Sequence, residues 1–241
     1  MSGHSKWETI KRQKGANDAK RGAIFTKLGN QIAIAARGGT DASMNASLAL
    51  AVEKAKAANM PNANIQRAID RVNDKNAAVL EEITYEGYGP GGVGLIIETA
   101  TDNRNRTLPE VKNILVKNGG RIADAGSVMF QFTRKGVIRI AATGEDALLA
   151  VLDAGAEDAA EEDGEMLVYT EQKDLAKVRQ AIVDAGMDVK DAELQYVPNS
   201  MVAVDDDEQA QKIFKLLDAL DDLDDVASVH MNADVTAELG S

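Results

Sequence analysis

Apolar positions recur at spacings of three and four over the first third of the chain and then shift to short alternating or continuous runs, so helices come first and strands mixed with helices follow. Ile24, Phe25, Leu28 and Ile32 form one stripe, predicting a helix that starts at Asn17 or Asp18, either of which can cap, and runs to about Arg37 before Gly38-Gly39. Leu48, Ala51, Val52 and Ala55 predict a second helix from about Asp41 to Ala58. Met60-Pro61 ends it, because the residue before proline is pushed out of the helical region. Ile65, Ala68, Ile69 and Val72 give a third helix, with Pro61 and Asn62 at its start. Three helices of this kind make one small bundle. Residues 1–16 show no sustained periodicity and are rich in Lys, Arg, Gly and Ser, which predicts an extended arm that orders on binding.

After the polar link Asn73 to Asn76 the period changes to strands, Glu82 to Tyr88 and Val93 to Thr101, around a turn at Gly89-Pro90-Gly91-Gly92. A helix over about Leu108 to Lys117 stops at Asn118-Gly119-Gly120, and a strand is expected over Ser127 to Thr133. Strand 136–141, helix 144–153, strand 156–161, strand 165–170, helix 172–184 and strand 189–197 then complete a βαββαβ unit, the ferredoxin-like arrangement. A last strand at Met201 to Val204, helix at 206–220 and strand at Val226 to Met231 are too few to bury a core alone, and are expected to complete the sheet begun at residue 82. The fold class that follows is α+β in three domains: a basic arm and three-helix bundle (1–75), a discontinuous α+β domain (76–134 with 200–241), and an acidic ferredoxin-like domain (135–199) inserted into it.

With 241 residues, 44% hydrophobic and 27% charged, the chain can bury proper cores. The absence of cysteine excludes disulfides, thiolate zinc sites and a cysteine nucleophile, and suits a reducing compartment. The N-terminus is polar from Met1 to Trp7, and no run approaches about 18 consecutive apolar residues, so a cytoplasmic protein with no membrane partner is expected.

A net charge of -12 would by itself argue against a polyanion partner. The distribution reverses that argument. Residues 1–75 hold 13 Lys and Arg against 6 Asp and Glu; residues 135–199 hold 6 against 15, and residues 200–241 hold 2 against 11. Such asymmetry points to nucleic acid at the basic end. The candidate phosphate contacts are Lys6, Lys11, Arg12, Lys14, Lys20, Arg21 and Lys27, with Trp7, the single tryptophan, placed to stack on a base. On a helical wheel Lys20 and Lys27 share a flank, whereas Arg21 falls within the apolar arc.

Two further motifs carry alternatives. Gly87 to Gly92 spells G-x-G-x-x-G, but the dinucleotide fingerprint needs a helix after it and here a β run follows, so an exposed hairpin is the better account. Asp102-Asn103-Arg104-Asn105-Arg106-Thr107 lies between a strand and a helix; Arg104 and Arg106 can grip phosphate, or Asp102 or Asn103 caps the helix while the arginines pair with acids such as Glu98 or Glu110. His4 and His230 lie at opposite ends, and His230 reads as a structural histidine in a strand. The acid clusters at Glu161 to Asp163, Asp205 to Asp207 and Asp221 to Asp225 lack EF-hand spacing and read as solvated turns and helix N-termini. No catalytic constellation, metal site or cofactor is expected.

Gly3-His4-Ser5-Lys6-Trp7, Asp18-Ala19-Lys20-Arg21-Gly22, Ile24 to Leu28, Ala58-Asn59-Met60-Pro61, Tyr85 to Gly92 and Thr101 to Thr107 together resemble the YebC family, which includes a mitochondrial translational activator of cytochrome c oxidase. The resemblance covers nearly the whole chain. It implies an N-terminal helical bundle and two α+β domains, one inserted into the other, and a non-enzymatic role in gene expression. Many members carry the label of DNA-binding transcriptional regulator, while others act on ribosomes to assist synthesis of difficult sequences such as proline runs. The acidic two-thirds of the chain would be repelled from a long duplex, whereas shaped RNA can offer a pocket to one basic domain. The expected activity is therefore that of a translation factor contacting ribosomal RNA or the ribosome as a monomer, with DNA-binding transcriptional regulation as the alternative and a metal-dependent enzyme as a remote one.

Overall fold

The computed structural model describes residues 18–162 and 164–236, with side chains from Arg21 onward. In chain order, α1 (Asp18–Ala35), α2 (Ala46–Ala57) and α3 (Asn62–Asp70) come first. β1 (Glu81–Tyr88), β2 (Gly94–Thr101), α4 (Arg104–Lys117) and β3 (Arg121–Ala123) follow. Then come β4 (Phe132–Ile140), α5 (Glu145–Asp153), β5 (Asp158–Glu162), β6 (Glu165–Thr170), α6 (Leu175–Asp184) and β7 (Val189–Pro198). The chain finishes with β8 (Val202–Val204), α7 (Asp207–Asp221), β9 (Val226–Met231) and β10 (Ala233–Val235). The fold is α+β. It divides into two compact units, one running to Phe132 and resuming at Pro198, the other Thr133–Val197.

Within the first unit, α1, α2 and α3 pack around Leu28, Ile32, Leu48, Ala55, Ile65 and Ile69. α2 starts at Ala46 rather than near Asp41, because the Asp41 carboxylate is taken by Ser43 N–H and Oγ at 2.9 and 2.7 Å, and Asn45 is the cap, accepting from Leu48 N–H at 3.1 Å. Asn59 in the left-handed region (φ 60°) closes α2, and the Met60 N–H reaches back to the Ala55 carbonyl at 2.9 Å. This turn aims the chain directly into α3.

The remainder of that unit is a sheet in the order β3-β1-β2-β9, antiparallel at each pairing, so the C-terminal segment lies beside β2. β8 does not join it: it pairs in parallel with β10, a strand the periodicity did not reveal, as it did not reveal β3. Leu95 and Ile97 of β2, opposite Met231 and Val229 of β9, share a core with Val111 and Leu115 of α4 and with Ile213, Leu216, Leu217 and Leu220 of α7. Fully burying each such leucine contributes about 1.5–3 kcal/mol. α1 touches β2 and β9 as well.

Residues 127–131 are not strand: a turn leads to a 3-10 helix at Met129–Gln131, and β4 begins only at Phe132. The buried Glu86 carboxylate accepts the N–H groups of Gly126 (2.5 Å), Val128 (2.6 Å) and Met129 (2.8 Å), so these donors are spent on a side chain instead of a ladder. α4 starts at Arg104, not Leu108, because Asn103 caps it by accepting Arg106 N–H at 3.2 Å, and the helix tolerates Pro109 in its second turn.

The second unit has the order β5-β6-β4-β7, with β6 antiparallel to both neighbours, which is the ferredoxin-like βαββαβ layout. A Cβ on Gly136 would stand 2.3 Å from Thr170 Oγ1 and 2.9 Å from Leu175 Cβ, so glycine is what lets the start of α6 approach β4.

Candidate nucleic-acid interface

Lys6, Trp7, Lys11, Arg12 and Lys14 lie outside the described residues, and so does the side chain of Lys20, which sits in the first turn of α1. Arg21 is exposed on α1. Lys27, further along the same helix, is turned inward: its Nζ donates to the carbonyl of Asp221 and lies 3.3 Å from that residue's carboxylate, with the side chain only 11% exposed. A cation there also faces the C-terminal end of α7, where the helix dipole is negative.

The Thr101 to Thr107 segment is built around Asp225, in the turn before β9. Its carboxylate accepts from Arg106 Nη2 at 2.8 Å and from the hydroxyls of Thr101 and Thr107 at 3.0 and 2.7 Å, while Arg106 also reaches Asp102 at 3.1 Å. Burial pushes the Asp225 carboxyl up, but the Thr107, Arg106 and Thr101 hydrogen bonds outweigh it and hold the group below the ordinary carboxylate value. Of the alternatives open for this segment, capping by Asn103 is present, and Arg106 pairs with Asp225 and Asp102 instead of Glu98 or Glu110. Arg104 is exposed at the first position of α4, and Arg106, although paired, is exposed as well. Glu98 lies 2.9 Å from His230 Nε2 and accepts from Ser228 at 2.8 Å, with His230 buried in β9.

Three arginines of the bundle, Arg37, Arg67 and Arg71, were not singled out by sequence reasoning. Arg37 donates to the Leu80 carbonyl, and Arg71 reaches Asn30 Oδ1 and the Ala78 carbonyl, both at 3.3 Å. Arg67 is exposed and lies 3.4 Å from Asn64 Oδ1. The signal that could have found the last two is their i, i+4 spacing, with Arg67 opposite the buried Ile65 and Ile69. In the second unit, burial first, then Glu162 and Asp158, push the Tyr169 phenol up to about 12. Among the described residues no helix is long and apolar enough to cross a membrane, and no three His, Asp or Glu side chains gather as a metal-binding group.

Residues 5–75 match the model of the TACO1/YebC protein N-terminal domain, and residues 80–233 match that of the TACO1/YebC second and third domain. The chain belongs to the TACO1/YebC family. The break between the two matches falls in the link that joins α3 to β1. Among other members, proteins named "probable transcriptional regulatory protein" from Moorella thermoacetica and Rubrobacter xylanophilus are 47% and 49% identical over 246 and 245 residues, each covering 99% of this chain and 98% of the relative. The crystal structure of a conserved hypothetical protein from Aquifex aeolicus superposes with a TM-score of 0.86 at 38% identity, over 92% of this chain and 93% of that one.

Proposed function

We propose that this TACO1/YebC protein is a non-enzymatic regulator of gene expression that binds nucleic acid through its N-terminal arm and bundle, and that it acts in translation by contacting RNA, ribosomal RNA being the shaped target. The observation that carries the reading is the separation of charge: 13 basic against 6 acidic residues in 1–75, and an acidic remainder. The acidic remainder repels a long duplex, whereas folded RNA can present a local pocket to one basic domain. Internal pairing of Lys27 and Arg106 supports concentrating the contact on the arm, α1 and α3.

The names of the relatives favour a second reading, DNA-binding regulation of transcription. Sedimentation of a cell lysate through a density gradient separates the two. Co-migration with ribosomal particles, abolished at high salt, is the expected result; a protein that stays at the top of the gradient yet shifts a promoter duplex at physiological salt establishes the transcriptional reading instead.

A further inference from the structure

Between α1 and α3 lies an open cleft of about 320 Å³ whose lining includes Phe25, Asn30, Met60, Asn64, Arg67 and Arg71. That volume falls within the roughly 300–1,000 Å³ of small-molecule sites. Its floor is apolar. Phe25 is half-buried, Met60 is buried, and Gly29 and Ala68 keep the space between the helices low, since even a Cβ on Gly29 would come within 3.9 Å of Met60 Cε. Its rim is cationic and amidic. Arg71 is held in place by Asn30 and the Ala78 carbonyl, Arg67 stands exposed beside Asn64, and none of the described residues lining the cleft is acidic.

We propose that this cleft captures an unpaired nucleotide of single-stranded RNA: the base lies over Phe25 and Met60, the amide groups of Asn30 and Asn64 meet its polar edge, and Arg67 and Arg71 hold the adjoining phosphate. Each part fits a separate property of the ligand. A π face stacks on an aromatic floor whatever the base, side-chain amides both donate and accept, and a guanidinium fork matches phosphate oxygens. A paired base in a duplex cannot expose its face to such a floor, which is why the occupant is single-stranded. The bundle acids that lie near α3 stand outside this lining, Asp70 accepting from Gln66 at 2.9 Å. The inference rests on the RNA-binding function proposed above and adds the place where a base is held.

The test uses the full-length protein and a fluorescein-labelled single-stranded RNA of mixed sequence, with duplex DNA of the same sequence as the comparison. Arg67→Ala should weaken RNA binding and lower the salt slope by about 0.7, the value for one phosphate of a single strand left without its cation. Phe25→Leu, which keeps an apolar side chain against the bundle core, should weaken it at least about fivefold, the lower end of the effect when a stacking ring is removed. Both variants should keep the wild-type melting temperature within a few degrees. Ultraviolet crosslinking and tryptic mapping should place the nucleotide adduct on the peptides that line the cleft, residues 22–27, 28–37, 57–67 or 68–71. Wild-type binding of RNA with adducts confined to other peptides, or with both variants binding like wild type, overturns the cleft while leaving an RNA-binding regulator in place. Duplex DNA bound as tightly as the single strand overturns base capture, and a wild-type protein that binds no RNA overturns both.

Discussion

Asp225 is 8% exposed, and two threonine hydroxyls and a guanidinium converge on its carboxylate. Asp225→Ala leaves the buried Thr101 and Thr107 hydroxyls without that acceptor and should cost on the order of 1–3 kcal/mol, read as a lower urea midpoint with an unchanged m-value. Arg106→Ala should move the midpoint in the same direction. Arg104→Ala, at an exposed position outside the cluster, should stay within about 0.5 kcal/mol of wild type, and a larger drop would give Arg104 a structural role the geometry does not. Lys27→Met makes the matching test for α1: with its ammonium held by Asp221, the variant should melt lower while the salt slope of RNA binding stays unchanged. Sequence reasoning could see that Arg104 and Arg106 had either a phosphate or a carboxylate to meet. It could not see that the carboxylate lies 119 positions away from Arg106, since local spacing brings only neighbours such as Glu98 and Glu110 into view.

At the scale of elements, one buried carboxylate collects the backbone donors at the centre of the connection from β3 to β4. Glu86, on β1, gathers three backbone N–H groups from residues 126–129, and these hydrogen bonds outweigh the upward push of burial, so its carboxyl lies below the ordinary value of 4.5. A carboxylate whose folded value is depressed adds stability that is fully present above its unfolded value and is lost as pH falls through the folded one. Asp225 behaves in the same sense around an unfolded value of 3.8. The melting temperature should therefore hold steady down to about pH 5 and fall below about pH 4.5, and Glu86→Gln should be less stable at pH 7 with a shallower acid slope. An acid slope as steep in Glu86→Gln as in wild type would assign the effect to other carboxylates. The same residue explains a limit of the sequence. The stretch Val128 to Phe132, apolar but for Gln131, has the composition of a strand, and the buried carboxylate beneath it diverts the backbone donors of Val128 and Met129. By contrast α1, α3, α7 and the strands β4 and β6 of the βαββαβ unit were legible, because each hides a face or a full run that its periodicity states outright. β3 and β10 span three residues each and interrupt their apolar positions with Arg121 and Asp234, whereas the equally short β8 is apolar throughout and was legible.

For the whole molecule, the decisive property is that one chain carries two opposite charges in sequence. That much was readable from counting residues, but the sites within it were only half readable, since Lys27 shows the same charge and spacing as a surface lysine and yet packs against α7. The consequence is an attraction and a repulsion acting at different distances. In the complex proposed above, the basic end meets phosphate directly, whereas the acidic remainder acts through solvent, where added salt screens it over about 8–10 Å at ordinary ionic strengths. Phosphate pairing at the arm should then dominate the salt dependence. Replacing Lys11, Arg12 and Lys14 together by alanine should weaken binding to single-stranded RNA by a similar factor across unrelated sequences, and should lower the slope of log affinity against log salt by about 0.7 for each phosphate released. The affinity gap between variant and wild type should narrow as salt is raised, because counterion release is the driving force that the substitutions take away. A variant that binds more weakly with an unchanged slope would have been altered in shape or packing instead of charge. One that binds like wild type at every salt concentration would leave α1 and α3 as the whole of the binding surface.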